Sequence, residues 1–478
     1  MTNILTGKNL LRIVNKLYLV IICNTIIVGQ EIPNEFFQFQ VEKLIYNVGE
    51  NWSKNSIFGP IRYINYDILS DSLKINARFG SYFDKNSKML YGFGKFTFKQ
   101  YFHGYIYPRI VDNPNNFARF SGIPRNIARG GFTSGETDLS GITFENDWMI
   151  FQFGRGRQSW GAGDDIQIAI SEYSNAYDYG MLDLDFGKLR VRYFHGYLET
   201  DTLNINRYIN GRGIEWNNEK NFLIGLSEII IYSGKNRPID FTYLNPISTH
   251  LELELNNRQN NYGTDNGNGI WQLSFDYLLK KKIRLSFNYL FDEFVFDKEQ
   301  KDNNKGNARA FSIKSLYRIF NNNNTILNCY ISSISVGTHT FKHENGYNNF
   351  VQRNHALGWN YGSDSREIKF GLSGLYNNRI IFNVDIGKRQ IGEKNILNNP
   401  YNAYTDFLDV PFPSGIVEEV VFGLGRLQWW YKPNLSLIAK IDYNKSNFQA
   451  VVLGSDQGRK VYKKKLIDLV QRYRLSQK

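Results

Sequence analysis

The period of the hydrophobic pattern, taken with the rhythm of the links between its segments, constrains this chain more than any other feature. In 272–279, Leu273, Phe275, Tyr277 and Leu279 alternate with Gln272, Ser274 and Asp276. In 283–292, Ile283, Leu285, Phe287, Tyr289 and Phe291 share one face, and Arg284, Ser286, Asn288 and Asp292 take the other. Residues 435–444 repeat the pattern, with Leu435, Leu437, Ala439, Ile441 and Tyr443 set against Ser436, Lys440, Asp442 and Asn444. Period two means strands with one apolar and one polar face. Short turns fall at 84–87, 145–147, 187–188, 217–221, 280–281, 321–324, 377–378 and 432–434. Longer links lie between them at 111–135, 159–178, 200–206, 234–267, 296–307, 337–365 and 390–416. Tight turns at one end and long loops at the other mark a transmembrane antiparallel barrel, with short periplasmic turns and long extracellular loops. A soluble sandwich has no reason to keep such a phase.

The phase predicts a strand count. Sixteen strands fit between about 72 and 447, the first running down into the turn at 84–87. That strand must then enter from outside, so one more is expected before it, within 58–69, and a last one within 448–475. The total is eighteen, an even number that closes a sheet without exposed edges. Residues 448–454 suit the last strand, followed by a basic helical tail; the weaker parse places it at 459–470. The expected layout is a signal peptide (1–29), a periplasmic N-terminal segment with a short helix (30–57), a barrel (58–455) and a basic tail (456–478).

Lys8, Arg12 and Lys16 precede the apolar run LYLVIICNTIIVG, the order of a secretory signal, which predicts export to the outer membrane of a Gram-negative-type bacterium. Ile22 is too bulky for a lipoprotein site at Cys23. With the signal removed, Cys329 is the one cysteine left, so no internal disulfide is expected. Mean hydropathy is −0.42, and no apolar run has the length of a membrane helix, which an alternating barrel also satisfies. The net charge of +12 in an exported chain points to acidic polysaccharide or lipid phosphate rather than nucleic acid.

Residues 151–167, FQFGRGRQSWGAGDDIQ, have the look of a phosphate loop. Gly156 and Gly161 have the Walker spacing, but Ala162 and Gly163 stand where Lys and Ser/Thr are required. A dinucleotide pattern begun at Gly154 meets Ser159 at its last glycine. His339 and His343 are spaced as helical metal ligands but sit in a Gly/Asn-rich loop, and no nucleophile elbow occurs. Neither enzyme chemistry nor a metal or other cofactor is expected. The polar strand faces place Arg78, Asp183, Asp185, Arg190, Arg192, Asp276, Arg284, Asp292, Lys369, Asp385, Lys440 and Asp442 toward a lumen, with both signs represented.

The run RQSWGAG (157–163), followed by Ser171, Asn175 and Ala176, resembles the R…WGPG…S.NA signature of the capsule assembly (Wzi-type) outer-membrane family, with Ala162 in place of proline. GLSEIIIY (225–232) and then Tyr243, Leu244, Asn245 and Pro246 are similar to its next segment. The resemblance covers about 140–260 and implies an eighteen-stranded barrel that holds capsular or other exopolysaccharide at the cell surface, without catalysis. On that reading Trp160, Tyr173 and Tyr177 offer ring faces to sugars and Arg155 and Arg157 pair with uronates. Asp164, Asp165 and Asn175 then meet hydroxyls. The competing reading of the same residues is an in-folded structural loop. The partners expected are outer-membrane lipid and an acidic polysaccharide, for a monomer; the alternative function is a porin for small solutes.

Overall fold

The computed structural model describes residues 37–49, 52, 55–59, 73–83, 87–99, 101–117, 119–126, 128–256, 258–259, 267–295, 297–322, 324–432, 435–444, 447–456 and 463–465. Its wall is one antiparallel sheet in which each long strand pairs with the next in sequence. The first nine are β1 (Lys74–Phe83), β2 (Lys88–Phe98), β3 (Phe102–Val111), β4 (Ser134–Glu145), β5 (Met149–Gly156), β6 (Tyr177–Asp185), β7 (Leu189–Thr200), β8 (Ile205–Asn217) and β9 (Phe222–Lys235). Then come β10 (Asn268–Leu279), β11 (Ile283–Glu293), β12 (Ala308–Asn321), β13 (Ile326–Val336), β14 (Ser365–Tyr376), β15 (Ile380–Ile391), β16 (Glu418–Lys432) and β17 (Leu435–Asn444). An eighteenth strand, β18 (Asn447–Asp456), pairs with β17, and Lys463–Lys465 lies along its edge. The sheet curls until Cα atoms of β1 and β18 come within 8 Å of each other. Among the described residues no ladder register crosses that seam.

The alternation sorts side chains by medium. On β11, Arg284, Ser286 and Asn288 are buried inside, while Leu285 points outward and is exposed. Exposed Leu226, Leu273, Phe311, Ile331, Phe370 and Ile441 continue an apolar belt around the outer face. Exposed Trp148, Phe186, Trp216, Tyr376 and Trp429 stand beside short turns, an aromatic girdle at that rim. The hairpins at Lys280–Lys281 and Asn377–Asn378 place both central residues at φ of 50–57°, the left-handed backbone conformation of turns whose twist matches the right-handed twist of the strands.

One turn changes the expected phase. Seventeen strands, not sixteen, lie between 74 and 444, because β2 and β3 are separate hairpin arms joined at 99–101. That link carries no Gly, Pro or Asn; Lys99 takes the left-handed conformation itself, at φ 50°. The link at 84–87 therefore lies at the long-loop end, and β1 starts from the short-turn end. A strand within 58–69 is not required: Phe58 and Gly59 pair with Trp160 and Ser159 instead, and 60–72 lie outside the described residues. The expected last strand at 448–454 falls within β18; of the expected helical tail, Lys463–Lys465 is a short strand paired with β18, and 466–478 lie outside the described residues.

The expected N-terminal helix is α1 (Phe37–Tyr46), but the segment does not stand below the barrel. Inward-facing residues of β8, β11 and β12 hold it. Arg318 Nη2 donates to the Leu44 carbonyl (2.5 Å), Arg284 Nη1 to Asn47 Oδ1 (2.9 Å), and Glu215 Oε2 accepts from Ile57 N (2.8 Å). The described part of this segment, residues 37–49, 52 and 55–59, thus lies inside the lumen. Trp52, Ile57 and Phe58 join Trp160, Ile166, Phe350 and Leu357 from two in-turned loops, and Phe194, Ile209 and Leu290 from the wall, in one buried core.

Candidate functional site

The loop after β5 turns inward. Arg157 donates to Asp138 Oδ1 (2.7 Å) and to the Ser174 carbonyl (2.5 Å), anchoring both ends of the turn. Ala162 N donates to Asn288 Oδ1 (2.7 Å) while Asn288 Nδ2 returns a bond to the Ala162 carbonyl (2.9 Å). Gly161 and Gly163 allow this approach: both have positive φ, and a Cβ on Gly163 would stand 2.8 Å from the Ser286 Cβ. Trp160 is fully buried, edge-on to Phe58 at 4.8 Å and to Phe194 at 5.1 Å. A second in-turned loop, 337–364, closes over it: Trp359 N donates to the Ile168 carbonyl and Ser171 N to that of Leu357, both at 2.9 Å.

This geometry disperses the residues singled out in sequence. Trp160, Tyr177, Arg157 and Asn175 are buried among protein partners and present no face to solvent. Tyr177 OH accepts from Gln158 N, and Asn175 Nδ2 donates to the Gln352 carbonyl. Arg155 does not share a side with Arg157: it points outward and pairs with Asp178 at 3.1 Å. Tyr173, Asp164 and Asp165 remain partly exposed, in a luminal cluster. Lys43 of α1 meets Asp165 at 3.2 Å, Tyr173 OH donates to the same carboxylate at 3.3 Å, and Lys314 donates to the Asp164 carbonyl at 2.9 Å. Burial pushes the Asp165 carboxyl pKa up, but Lys43, Lys314 and Lys369 pull harder and hold it below the usual range.

The lumen charges pair across the wall. Arg192 meets Asp183, Arg190 spans Asp183 and Asp185 (3.1 Å each), and Arg284 meets Asp276 at 2.6 Å. Asp292 accepts from Phe341 N at 2.6 Å, Lys369 stands 4.0 Å from Glu367, and Asp385 accepts from Tyr330 OH. Arg78, Lys440 and Asp442, near the seam, stay exposed. Four more pairs went unseen in sequence: Arg109 with Glu136 and with Asp138, Arg207 with Glu199, and Arg389 with Glu367. The first depends on a bulge at Tyr107/Pro108 that shifts register between β3 and β4, which alternation alone does not reveal.

An open cavity of about 410 Å³ lies instead at the long-loop end, between loops 337–364 and 392–417. Lys342, Asn349, Lys394, Asn399, Asn402 and Tyr404 line it. Buried Asp364 braces two of the lining residues, its carboxylate taking Ser414 N (2.9 Å) and Lys394 N (3.1 Å). Asn349 Nδ2 donates to the carbonyls of Pro400 (3.0 Å) and Asn402 (3.2 Å), clamping one wall. The Lys342 ammonium lies 4.2 Å over the Tyr404 ring and donates to the Lys394 carbonyl. Burial lowers its pKa to about 8, so it is charged at neutral pH. The Asn399 and Asn402 side chains are exposed at the rim. The sequence offered only a loop rich in Asn; the pairing of two loops 50 residues apart is a tertiary fact.

No family model matches the chain, and no curated protein matches it. Among solved structures, it is similar to Wzi, an outer membrane protein involved in group 1 capsule assembly in Escherichia coli and described as a carbohydrate-binding β-barrel. The TM-score is 0.55 at 11% identity, covering 79% of this chain and 80% of that one. It is also similar, at lower TM-scores, to OpdK of Pseudomonas aeruginosa (0.40, 9% identity, 80% and 96% covered) and to a BenF-like porin of Pseudomonas fluorescens Pf-5 (0.39, 8%, 82% and 97%). At these identities the likeness concerns the fold, and the fold it shows is that of the outer-membrane β-barrels.

Proposed function

We propose that this chain is a divergent Wzi-type barrel that sits in a bacterial outer membrane, with its long loops outside. There it binds acidic surface polysaccharide without catalysis. The observation that carries this reading is the apolar core inside the lumen: Trp52, Phe58, Trp160, Ile166 and Leu357 pack where a porin keeps water. A barrel filled in this way is built to present a surface. The loop-end cavity supplies that surface with amides for sugar hydroxyls at Asn399 and Asn402, and with a cation for a uronate or phosphate at Lys342. The likeness to Wzi supports the same ligand class. Retention of the organism's own polysaccharide on immobilised protein tests it. Wild type should retain the glycan and the double variant Lys342→Ala/Asn402→Ala should lose most of it; equal retention by both would sink the assignment of the cavity.

A porin is the second reading, favoured by the exposed inner-face charges Arg78, Lys440 and Asp442 near the seam. Planar-bilayer recording separates the two. Steady single-channel currents through wild type would establish a passage past the plug; a silent bilayer supports the filled lumen.

A further inference from the structure

The first part of the link between β9 and β10, residues 236–256, was expected in an extracellular loop but does not rise from the rim. It folds back down the outer wall. On β8, Tyr208, Asn210 and Arg212 lie on the same face as exposed Ile214 and Trp216; on β9, Glu228, Ile230 and Tyr232 share the face of exposed Leu226. These residues face outward, yet they are buried, because residues 236–259 cover them. The covering segment carries two short helices, α2 (Phe241–Leu244) and α3 (His250–Leu255).

The fit is polar underneath and apolar above. Tyr208 OH donates to the Arg237 carbonyl (2.8 Å), and Tyr193 OH (2.9 Å) and Asn210 Nδ2 (3.2 Å) both donate to that of Tyr243. Arg212 Nη1 donates to the Asn245 carbonyl (3.3 Å), and Glu228 Oε1 accepts from His250 N (3.0 Å). Tyr243 stacks on Tyr232 at 4.4 Å, and Leu253 completes a small core. Irregular backbone on a membrane-facing wall survives only when its polar groups find partners in the protein. Here the wall supplies them from side chains that have no other reason to interrupt an apolar belt.

The opposite face of the segment is bare. Phe241 and Ile247 are 84% and 85% exposed, with Leu251, Leu255 and Ile239 beside them. Its level follows from the ladder: Glu228 registers with Trp271 and Trp271 with Phe291, while the next outward row, Leu226 with Leu273, belongs to the exposed belt. The segment therefore lies at the upper edge of the hydrocarbon. Alongside it, Ile239 and Leu244 flank an open groove of about 1230 Å³ on the outer wall, shared with Ile106, Phe153, Gly180 and Leu182.

We propose that residues 236–259 are a lipid-embedded strap. Ile239, Phe241, Ile247, Leu251 and Leu255 sit among acyl chains of the outer leaflet at the headgroup boundary, and hydrocarbon chains of that leaflet fill the groove beside it. The occupant is membrane lipid because the strands under the segment carry exposed Ile214 and Leu226 of the apolar belt, and its exposed charges, Glu252 and Arg258, pair with each other at 2.7 Å. This inference rests on the membrane-spanning fold and not on the glycan assignment.

The test uses the full chain with native cysteines replaced by serine, reconstituted into phosphatidylcholine vesicles. An environment-sensitive fluorophore is placed at Ile247→Cys, at Leu251→Cys, or at Ile416→Cys, an 84% exposed position in loop 392–417. Unheated-gel mobility confirms the folded barrel for each. Lipid carrying a nitroxide near the top of its acyl chain should quench the two strap labels at least about twofold more than the loop label. Aqueous iodide should show the reverse order. Strap labels quenched by iodide and spared by the nitroxide lipid would overturn the proposal. So would strap labels shielded from both quenchers together with cross-linked dimers, which would assign the face to a second copy of the chain.

Discussion

Two links leave the same rim of this barrel and end in opposite media. The loop at 157–176 turns inward and the strap at 236–259 turns outward, and each reads the wall it meets. Inside, the expected polar face offers Asn288 and Ser312, which bond the Ala162 backbone and the Ile166 carbonyl. Outside, the wall departs from its own pattern at Asn210, Arg212 and Glu228, and the departure coincides with the strap's carbonyls. The inner loop hides Trp160; the strap leaves Phe241 bare. Where a long link settles is thus set by where hydrogen-bond partners await its backbone, and its free face then matches whatever lies beyond.

The sharpest way to break the contrast is to remove the anchor of the inner loop. Trp160→Ala should destabilise the barrel by about 3–5 kcal/mol, the cost of emptying a well-packed aromatic site. Heat-modifiable gel mobility would record the loss. Transient conductance bursts absent from wild type are expected as the plug loosens; a variant as stable as wild type would show that Trp160 does not hold the core.

The matching change outside should spare the barrel only when both members of the buried pair are removed. Arg212→Ala leaves Glu228, itself almost fully buried, without its 3.3 Å partner, a change worth about 3 kcal/mol for a buried pair. Replacing both residues by leucine removes the stranded charge. The double variant should keep wild-type barrel stability while its strap becomes open to limited proteolysis between 236 and 259. Cleavage elsewhere, with an intact strap, would count against the wall side chains as its anchors.

The loop-end cavity supplies a smaller effect with a pH signature. Lys342→Ala should weaken binding of an acidic glycan by about 1.5–3 kcal/mol, the worth of a charge-assisted bond. Because burial lowers the Lys342 pKa to about 8, its charge is complete below that value and lost as pH rises through it. Binding measured by titration calorimetry should fall across that window. The stability term runs the other way: the folded state sheds this proton more easily than the unfolded chain, so its cost eases between about pH 8 and pH 10.4. Glycan affinity that is flat across pH 8 would remove Lys342 from the site.

The smallest effect belongs to the ion pair between α1 and the inner loop. Lys43 and Asp165 retain 24% and 38% exposure, so Lys43→Ala should cost under about 1 kcal/mol, screened further by salt. Denaturant midpoints at low and high ionic strength would show it, and a larger loss would mean that this pair, rather than Arg318 and Arg284, seats the helix.

The wall was legible because alternation and turn chemistry are local. Seven of the eight short turns marked hairpins at the short-turn end, and the eighth, 84–87, was assigned to the wrong rim. The cause was Lys99, which adopts a left-handed turn that its residue type does not advertise. The site was less legible. FQFGRGRQSWGAGDDIQ was set apart from phosphate loops by its spacing, and an in-folded structural loop was one of its two readings. What alternation could not say is that Arg155 and Arg157 part company, since the strand ends at Gly156 and the chain then turns into the lumen. The cavity and the strap were invisible for a related reason: each depends on segments that meet only after the wall has curled.

The position of residues 37–59 has a consequence for biogenesis. They precede every wall strand in the order of synthesis, and they end up enclosed by strands that reach as late as β14. The segment therefore cannot be seated until strands made much later exist: Asn47 and Leu44 gain the partners that hold them only once Arg284 and Arg318 have been synthesised.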